Sequence, residues 1–253
     1  MFYYKLVIAY DGYDYHGWQW QPNDITVAGQ LEKSFSKVFG KKLLSLVGAS
    51  RTDAGVHAWG QVARLKIDFV IDADKLKKAW QGALPATIML REVTQMAGDF
   101  DLQEGVVSKT YDYYISTSRM VPFLARYCIA YYPSFDMQLL QKNLNVFLGT
   151  HDFRSFCTGD DKECTVRTID SISVSYLKRY TLYRVRVKGP GFLRYMVRRV
   201  IGASLQTMSM QLDNELADAV AVLHAVLQEK DPHQNLKTAP AHALMLRSIE
   251  YRK

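Results

Sequence analysis

Thr110-Tyr111-Asp112-Tyr113-Tyr114-Ile115-Ser116-Thr117 is the second run of its kind in this chain. The first is Phe2 to Tyr10, another β-prone stretch, which ends in the turn signal Asp11-Gly12. Each run leads into a similar series of elements. After the first, Val27, Leu31, Phe35, Val38 and Phe39 form one apolar stripe, which predicts a helix capped by Thr26 and Gly40. Strands are expected at Leu43–Ala49 and Val62–Phe69. In the latter, Ala63, Leu65, Ile67 and Phe69 alternate with a mostly charged, wet face. A helix over Ala73–Leu84 stops before Pro85, and Ile88–Met96 reads as a strand. After the second run, Met137–Leu148 is an amphipathic helix closed by Gly149. Ile169–Tyr176 and Leu182–Lys188 read as paired strands, about Phe192–Met208 and Asn214–Leu227 as helices, and Met245–Tyr251 as a closing strand. Two successive β-α-β-β-like halves predict an α+β fold with antiparallel sheets and helices on one side. The divide falls near residue 105, giving halves 1–105 and 106–253. No Pro, Gly or Ser-rich linker separates them, so they are expected to pack together.

The 253 residues are 48% hydrophobic and 23% charged, which excludes a disordered tail, a collagen-like repeat and a coiled coil. No apolar run approaches the roughly 20 residues that span a bilayer, so no membrane partner is expected. Met1 to Tyr10 shows no basic segment followed by an apolar one, so no signal peptide is read. Cys128, Cys157 and Cys164 are odd in number and form no CxxC. They read as reduced thiols of a cytoplasmic protein, with no metal site.

The net charge is +7, and it is uneven: residues 1–105 carry 12 basic and 12 acidic residues, residues 106–253 carry 20 and 13. Between Tyr176 and Gly202 stand Lys178, Arg179, Arg184, Arg186, Lys188, Arg194, Arg198 and Arg199, with no acid. Tyr176, Tyr180, Tyr183, Phe192 and Tyr195 are interleaved with them. Cations neutralise phosphates and rings stack on unpaired bases, so this stretch predicts a polyanion partner.

Ala49-Ser50-Arg51-Thr52-Asp53-Ala54-Gly55-Val56-His57-Ala58 lies between two expected strands, where a loop presents side chains from a rigid frame. A guanidinium near a carboxylate favours the ionised form, which suits a nucleophile or electrostatic stabiliser. The same residues also make an ordinary structural turn. His57 has no second His or carboxylate at a spacing that would orient it, and is read as structural. No Gly-rich phosphate loop, GxSxG or HExxH is present.

The stretch Arg51-Thr52-Asp53-Ala54-Gly55-Val56-His57-Ala58 resembles the signature of the tRNA pseudouridine synthase A family. Further matches lie in register: Tyr10-Asp11-Gly12, Gly17-Trp18-Gln19, Gly60-Gln61-Val62, Ala83-Leu84-Pro85 and Lys109-Thr110-Tyr111-Asp112-Tyr113. Beyond them come His151-Asp152-Phe153-Arg154-Ser155-Phe156, Thr165-Val166-Arg167-Thr168-Ile169, Gly191-Phe192-Leu193-Arg194-Tyr195-Met196-Val197-Arg198 with Gly202, and Ala239-Pro240-Ala241. The resemblance covers essentially the whole chain. It implies a pseudouridine synthase fold, two ferredoxin-like or RRM-like halves joined into one large sheet. It implies an isomerase that converts uridine to pseudouridine at positions 38 to 40 of the tRNA anticodon stem-loop, as a homodimer, without metal or small-molecule cofactor. By the same resemblance Asp53 is the catalytic carboxylate, Arg198 its partner, Arg51 the residue that helps displace the base, and Tyr111 the ring that packs on it. Arg184, Arg186, Lys188, Arg194 and Arg199, from the basic stretch, are the expected phosphate contacts.

The sequence also departs from the family. Where most members read DFHARFSA, this chain has Asp99-Phe100-Asp101-Leu102-Gln103-Glu104-Gly105-Val106. Asp101 and Gln103 replace the usual His and Arg. Ser50, Tyr195 and Arg199 stand where Gly, His and Asn are usual. Acid near phosphate lowers affinity, so the segment suggests a diverged paralogue. The alternative to an active isomerase is a catalytically weakened RNA-binding or tRNA-folding protein of the same fold. A glycoside hydrolase needs two carboxylates flanking the bond, and no second one is convincingly placed.

Overall fold

The first unit is built on β1 (Phe2–Tyr10), in which Tyr4, Leu6 and Ile8 alternate inward and are fully buried. In the computed structural model, which describes residues 1–98, 100–131, 133–158 and 164–252, β1 is flanked on both edges. On one edge lies β4 (Ile88–Met96), on the other β3 (His57–Ile67), both antiparallel. The 11 residues of β3 leave room for two neighbours on its far edge. β2 (Ser45–Gly48) pairs with Ala63 to Lys66, and β11 (Leu244–Tyr251) runs parallel beside His57 and Ala58. The loop from residue 49 to residue 56 therefore leaves β2 and re-enters the sheet at the start of β3.

Helices α1 (Val27–Phe39) and α2 (Ala73–Gln81) belong to this unit. Thr26 Oγ1 accepts from Gly29 N–H at the start of α1, and Gly40 closes it in the left-handed conformation. Phe35 of α1 meets Trp80 of α2 edge to face at 5.1 Å, and the Trp80 indole donates to Ser34 Oγ at 2.8 Å. α2 ends at Gln81, three residues before the expected stop, because the Gln81 amide turns to β4, accepting from Leu90 N–H and donating to the Ile88 carbonyl.

The second unit pairs β5 (Val106–Ser116) with β10 (Leu182–Gly189) and β10 with β9 (Ser171–Leu177), all antiparallel. β6 (Ile129–Ala130) adds a parallel edge to β5, and β7 (Gly149–Asp152) pairs with β8 (Val166–Ile169) apart from that sheet. The helices are α3 (Met137–Asn145), α4 (Met196–Leu212) and α5 (Ala219–Glu229). The protein is thus a mixed α/β fold. Among the described residues no helix is long and apolar enough to cross a membrane. Cys128, Cys157 and Cys164 are free thiols.

Three expectations are corrected. The sheets are not purely antiparallel, since β11 and β6 each make a parallel pairing. The division at residue 105 is displaced: Met1–Val107 groups with Met245–Lys253, and Ser108–Leu244 forms the other unit. The closing strand thus belongs with the first unit. Finally, α4 begins at Met196 rather than Phe192, and α5 at Ala219 rather than Asn214. Phe192 is held edge-on against Tyr111, the Arg194 carbonyl accepts from Thr158 N–H, and Tyr195 is left-handed, so none of these residues joins the helix. Downstream, left-handed Asn214 ends the first helix and the Asp218 carboxylate caps the second.

Candidate active site

The loop that carries Asp53 is fixed mainly through its backbone. Ala49 N–H donates to the Val62 carbonyl, and Ser50 is gripped by the Gln61 amide, which accepts from its N–H at 3.3 Å and donates to its carbonyl at 2.6 Å. Gln61 is fully buried, and it also reaches the Tyr10 hydroxyl, which bonds Thr52 Oγ1 at 2.8 Å. Trp18 N–H donates to the Thr52 carbonyl, Gly55 N–H to the Tyr15 carbonyl, and Val56 N–H back to the Asp53 carbonyl. The stretch from Tyr10 to Trp18 thus forms a cradle under the loop.

Two glycines make that closeness possible. A Cβ on Gly12 would lie 1.9 Å from the Val56 carbonyl oxygen. One on Gly17, whose φ is +87°, would lie 2.6 Å from the Thr52 oxygen. The outcome is a loop in which Thr52 is buried, Asp53 half-buried and Arg51 exposed. His57 is buried at its base, with Nδ1 3.0 Å from Gly12 N and 3.1 Å from an Asp11 carboxylate oxygen. Its burial fits a structural residue, but the sequence shows no carboxylate at an orienting spacing and the structure brings Asp11 to the ring.

The segment that departs from the family pattern abuts this loop. Asp99 lies outside the described residues. Gln103 Nε2 donates to the Ala49 carbonyl at 3.1 Å, one residue from Ser50. Asp101 accepts from Gln103 and Glu104 N–H, and these bonds hold its carboxyl below the ordinary range. The Tyr251 hydroxyl donates to the Leu102 carbonyl, and burial, with Asp101 nearby, pushes that phenol up to about 12. Gln103 is exposed, and its amide braces the loop through that bond.

In the second unit, Tyr111 faces the same side of the sheet as Tyr113 and their β10 partners Val187 and Val185. Tyr111 is buried, and Phe192 meets it edge-on at 5.4 Å. Tyr113 is wholly buried and its hydroxyl has no hydrogen-bond partner among the described residues. Burial raises that phenol well above its usual value, against the pull of the nearby Arg198 guanidinium. Arg198 Nε donates to the Ala239 carbonyl at 2.9 Å, and its guanidinium lies 4.9 Å from the Tyr195 ring centre.

The basic residues of β10 point the other way. Arg184, Arg186 and Lys188 alternate with Val185 and Val187, so they occupy the reverse face from Tyr111. Arg186 forks onto Asp112 through two bonds of 2.7 and 2.8 Å, and Asp112 is 1% exposed. Arg184 is half-buried with its Nε unpartnered among the described residues, and Lys188 is half-buried. Arg199 is also turned inward, where Nη1 bonds the carbonyls of Ser155, Cys157 and Pro232. Arg194 is exposed and precedes α4, outside the helix that the sequence extends back to Phe192.

The sequence assigns no role to the support residues Tyr10, Gly12, Gly17 and Gln61 beyond their match to the family. Their signal is the glycine spacing, which a close backbone approach explains. Asp112 carries a signal too: it is an acid on a strand whose neighbour is rich in arginine.

A family model described as tRNA pseudouridine synthase matches residues 144–252. Relatives align along almost the whole chain. The "tRNA pseudouridine synthase A" of Thermodesulfovibrio yellowstonii is 32% identical, over 98% of each chain. That of Chlamydia pneumoniae is 34% identical, over 97% of this chain and 91% of its own. The "tRNA pseudouridine synthase A 1" of Desulfotalea psychrophila is 34% identical, over 97% and 98%.

Proposed function

Since the chain belongs to the tRNA pseudouridine synthase A family, it isomerises uridine to pseudouridine in tRNA, and we propose that it acts at positions 38 to 40 of the anticodon stem-loop with Asp53 as the catalytic carboxylate. The observation that carries the assignment is the Asp53 loop. Its backbone is bonded on both sides and seated on two glycines, and Asp53 is half-buried within it. A site held this way positions a reacting group at little cost in reorganisation.

The reaction breaks the C1′–N1 bond, turns the uracil and joins C1′ to C5. The net change moves one hydrogen from C5 to N1, so it is redox-neutral and takes no redox cofactor. A uracil in a helix must first be flipped out, at a cost of a few kcal/mol. Tyr111 recovers part of that by stacking, and Arg51, exposed beside Asp53, helps displace the base. By the family resemblance Arg198 is the residue that serves the Asp53 carboxylate. Arg194 is the phosphate contact that the exposed surface favours, while Arg186 and Arg199 already hold internal bonds. Arg184 and Lys188 serve phosphates on the reverse face. The protein works as a homodimer in the cytoplasm, with no metal.

The test is release of tritium from tRNA labelled at C5 of uracil, since forming the C1′–C5 bond expels that hydrogen. Wild type releases it and Asp53→Ala does not, although both bind tRNA. Binding without release by wild type would replace this reading with the RNA-binding alternative.

A further inference from the structure

Tyr195 stands at the N-terminal boundary of α4 with φ 63° and ψ −5°, a left-handed conformation that costs energy for any residue with a Cβ. Glycine would adopt it freely. The Tyr195 side chain makes no hydrogen bond that caps the helix, so capping does not account for the residue. Its ring does something else. The Arg198 guanidinium lies 4.9 Å from the ring centre and that of Arg194 5.3 Å, so two cations share one aromatic side chain. Arg198 needs such a hold. It sits in the first turn of α4, where the positive end of the helix dipole repels a cation. The Ala239 carbonyl fixes its Nε, and the ring restrains the guanidinium beyond it.

We propose that Tyr195 is a positioning residue for Arg198, kept in a strained backbone conformation because only that conformation lays its ring against the guanidinium. The proposal rests on the reading of Arg198 as the partner of Asp53. It adds that in this chain the orientation of Arg198 depends on an aromatic neighbour.

Tyr195→Gly and Tyr195→Phe in the full chain test it. Tyr195→Gly relieves the backbone and removes the ring. Its Tm stays at or above wild type, while kcat for tritium release falls about tenfold and KM for tRNA stays within about twofold. Tyr195→Phe keeps the ring and recovers most of the lost kcat. In NMR the Arg198 Nε–H resonance, assigned with Arg198→Lys, moves in Tyr195→Gly and stays near its wild-type position in Tyr195→Phe. A scaffold residue would behave differently, with Tm and kcat falling together in Tyr195→Gly, and that result overturns the proposal. So does an unchanged kcat, or a rise in KM alone, which marks a direct RNA contact. If wild type releases no tritium, the isomerase reading fails. The Arg198 resonance then decides the clamp by itself: displacement in Tyr195→Gly upholds it and constancy refutes it.

Discussion

The Asp53 loop and the strand β10 use charge in opposite ways. In the loop, backbone groups and a buried glutamine make the structural bonds and two glycines allow the close approach, while Arg51 is exposed. In β10 the central charged side chain, Arg186, is itself structural. Arg186 is forked onto a buried Asp112, and the face it shares with Arg184 and Lys188 lies behind Tyr111. Clustered charge is therefore a poor guide to a binding face. A group is available for chemistry when something else holds the chain around it.

If that contrast is right, the largest effect comes from the cradle. Gly12→Val drives a side chain into the Val56 carbonyl and costs about 3 kcal/mol, a Tm fall of roughly 6–12 °C by calorimetry. Gly191→Ala, whose added Cβ meets nothing within 4 Å, keeps Tm within about 1 °C of wild type. Next is the strand. Arg186→Ala strands Asp112, and after discounting for the partial exposure of the arginine costs about 2 kcal/mol. It leaves the salt dependence of tRNA binding unchanged. Arg194→Ala does the reverse: it keeps Tm and lowers the slope of log affinity against log salt by about one. Equal salt slopes for the two variants would erase the distinction between the regions.

Smaller effects sharpen it. Gln103→Ala frees the Ala49 carbonyl and lowers kcat about threefold with KM steady, read by tritium release. A rise in KM alone would make Gln103 an RNA contact instead. The smallest effect depends on pH. Asp101 has a folded pKa below its unfolded value, so its contribution is present above about pH 4 and lost as pH falls through the lowered folded value. The Tm gap between wild type and Asp101→Ala is thus full at neutral pH and closes in acid.

Much of the molecule is legible in its sequence. Phe2–Tyr10 and Ile88–Met96 coincide with β1 and β4, and α1 starts and stops at its expected caps, because periodicity and capping are local signals. The Asp53 loop is legible through its signature. The start of α4 is not, since apolar spacing from Phe192 onward looks helical until Tyr111 claims the phenylalanine. Nor is the partner of Arg186. Which face a strand residue occupies comes from the alternation, but what lies across from it depends on register, which only pairing reveals. Gln103 reads as a lost RNA contact because no local rule points its amide at Ala49.

The parallel strand β11 has a consequence for synthesis. The edge of β3 beside His57, at the exit of the Asp53 loop, is completed by residues made only after all of the second unit. On the ribosome, the first unit therefore waits with that edge unpaired while the second emerges and folds. The loop reaches its finished setting only after the second unit has been made, so a nascent chain that stops short of β11 presents no completed site to passing tRNA.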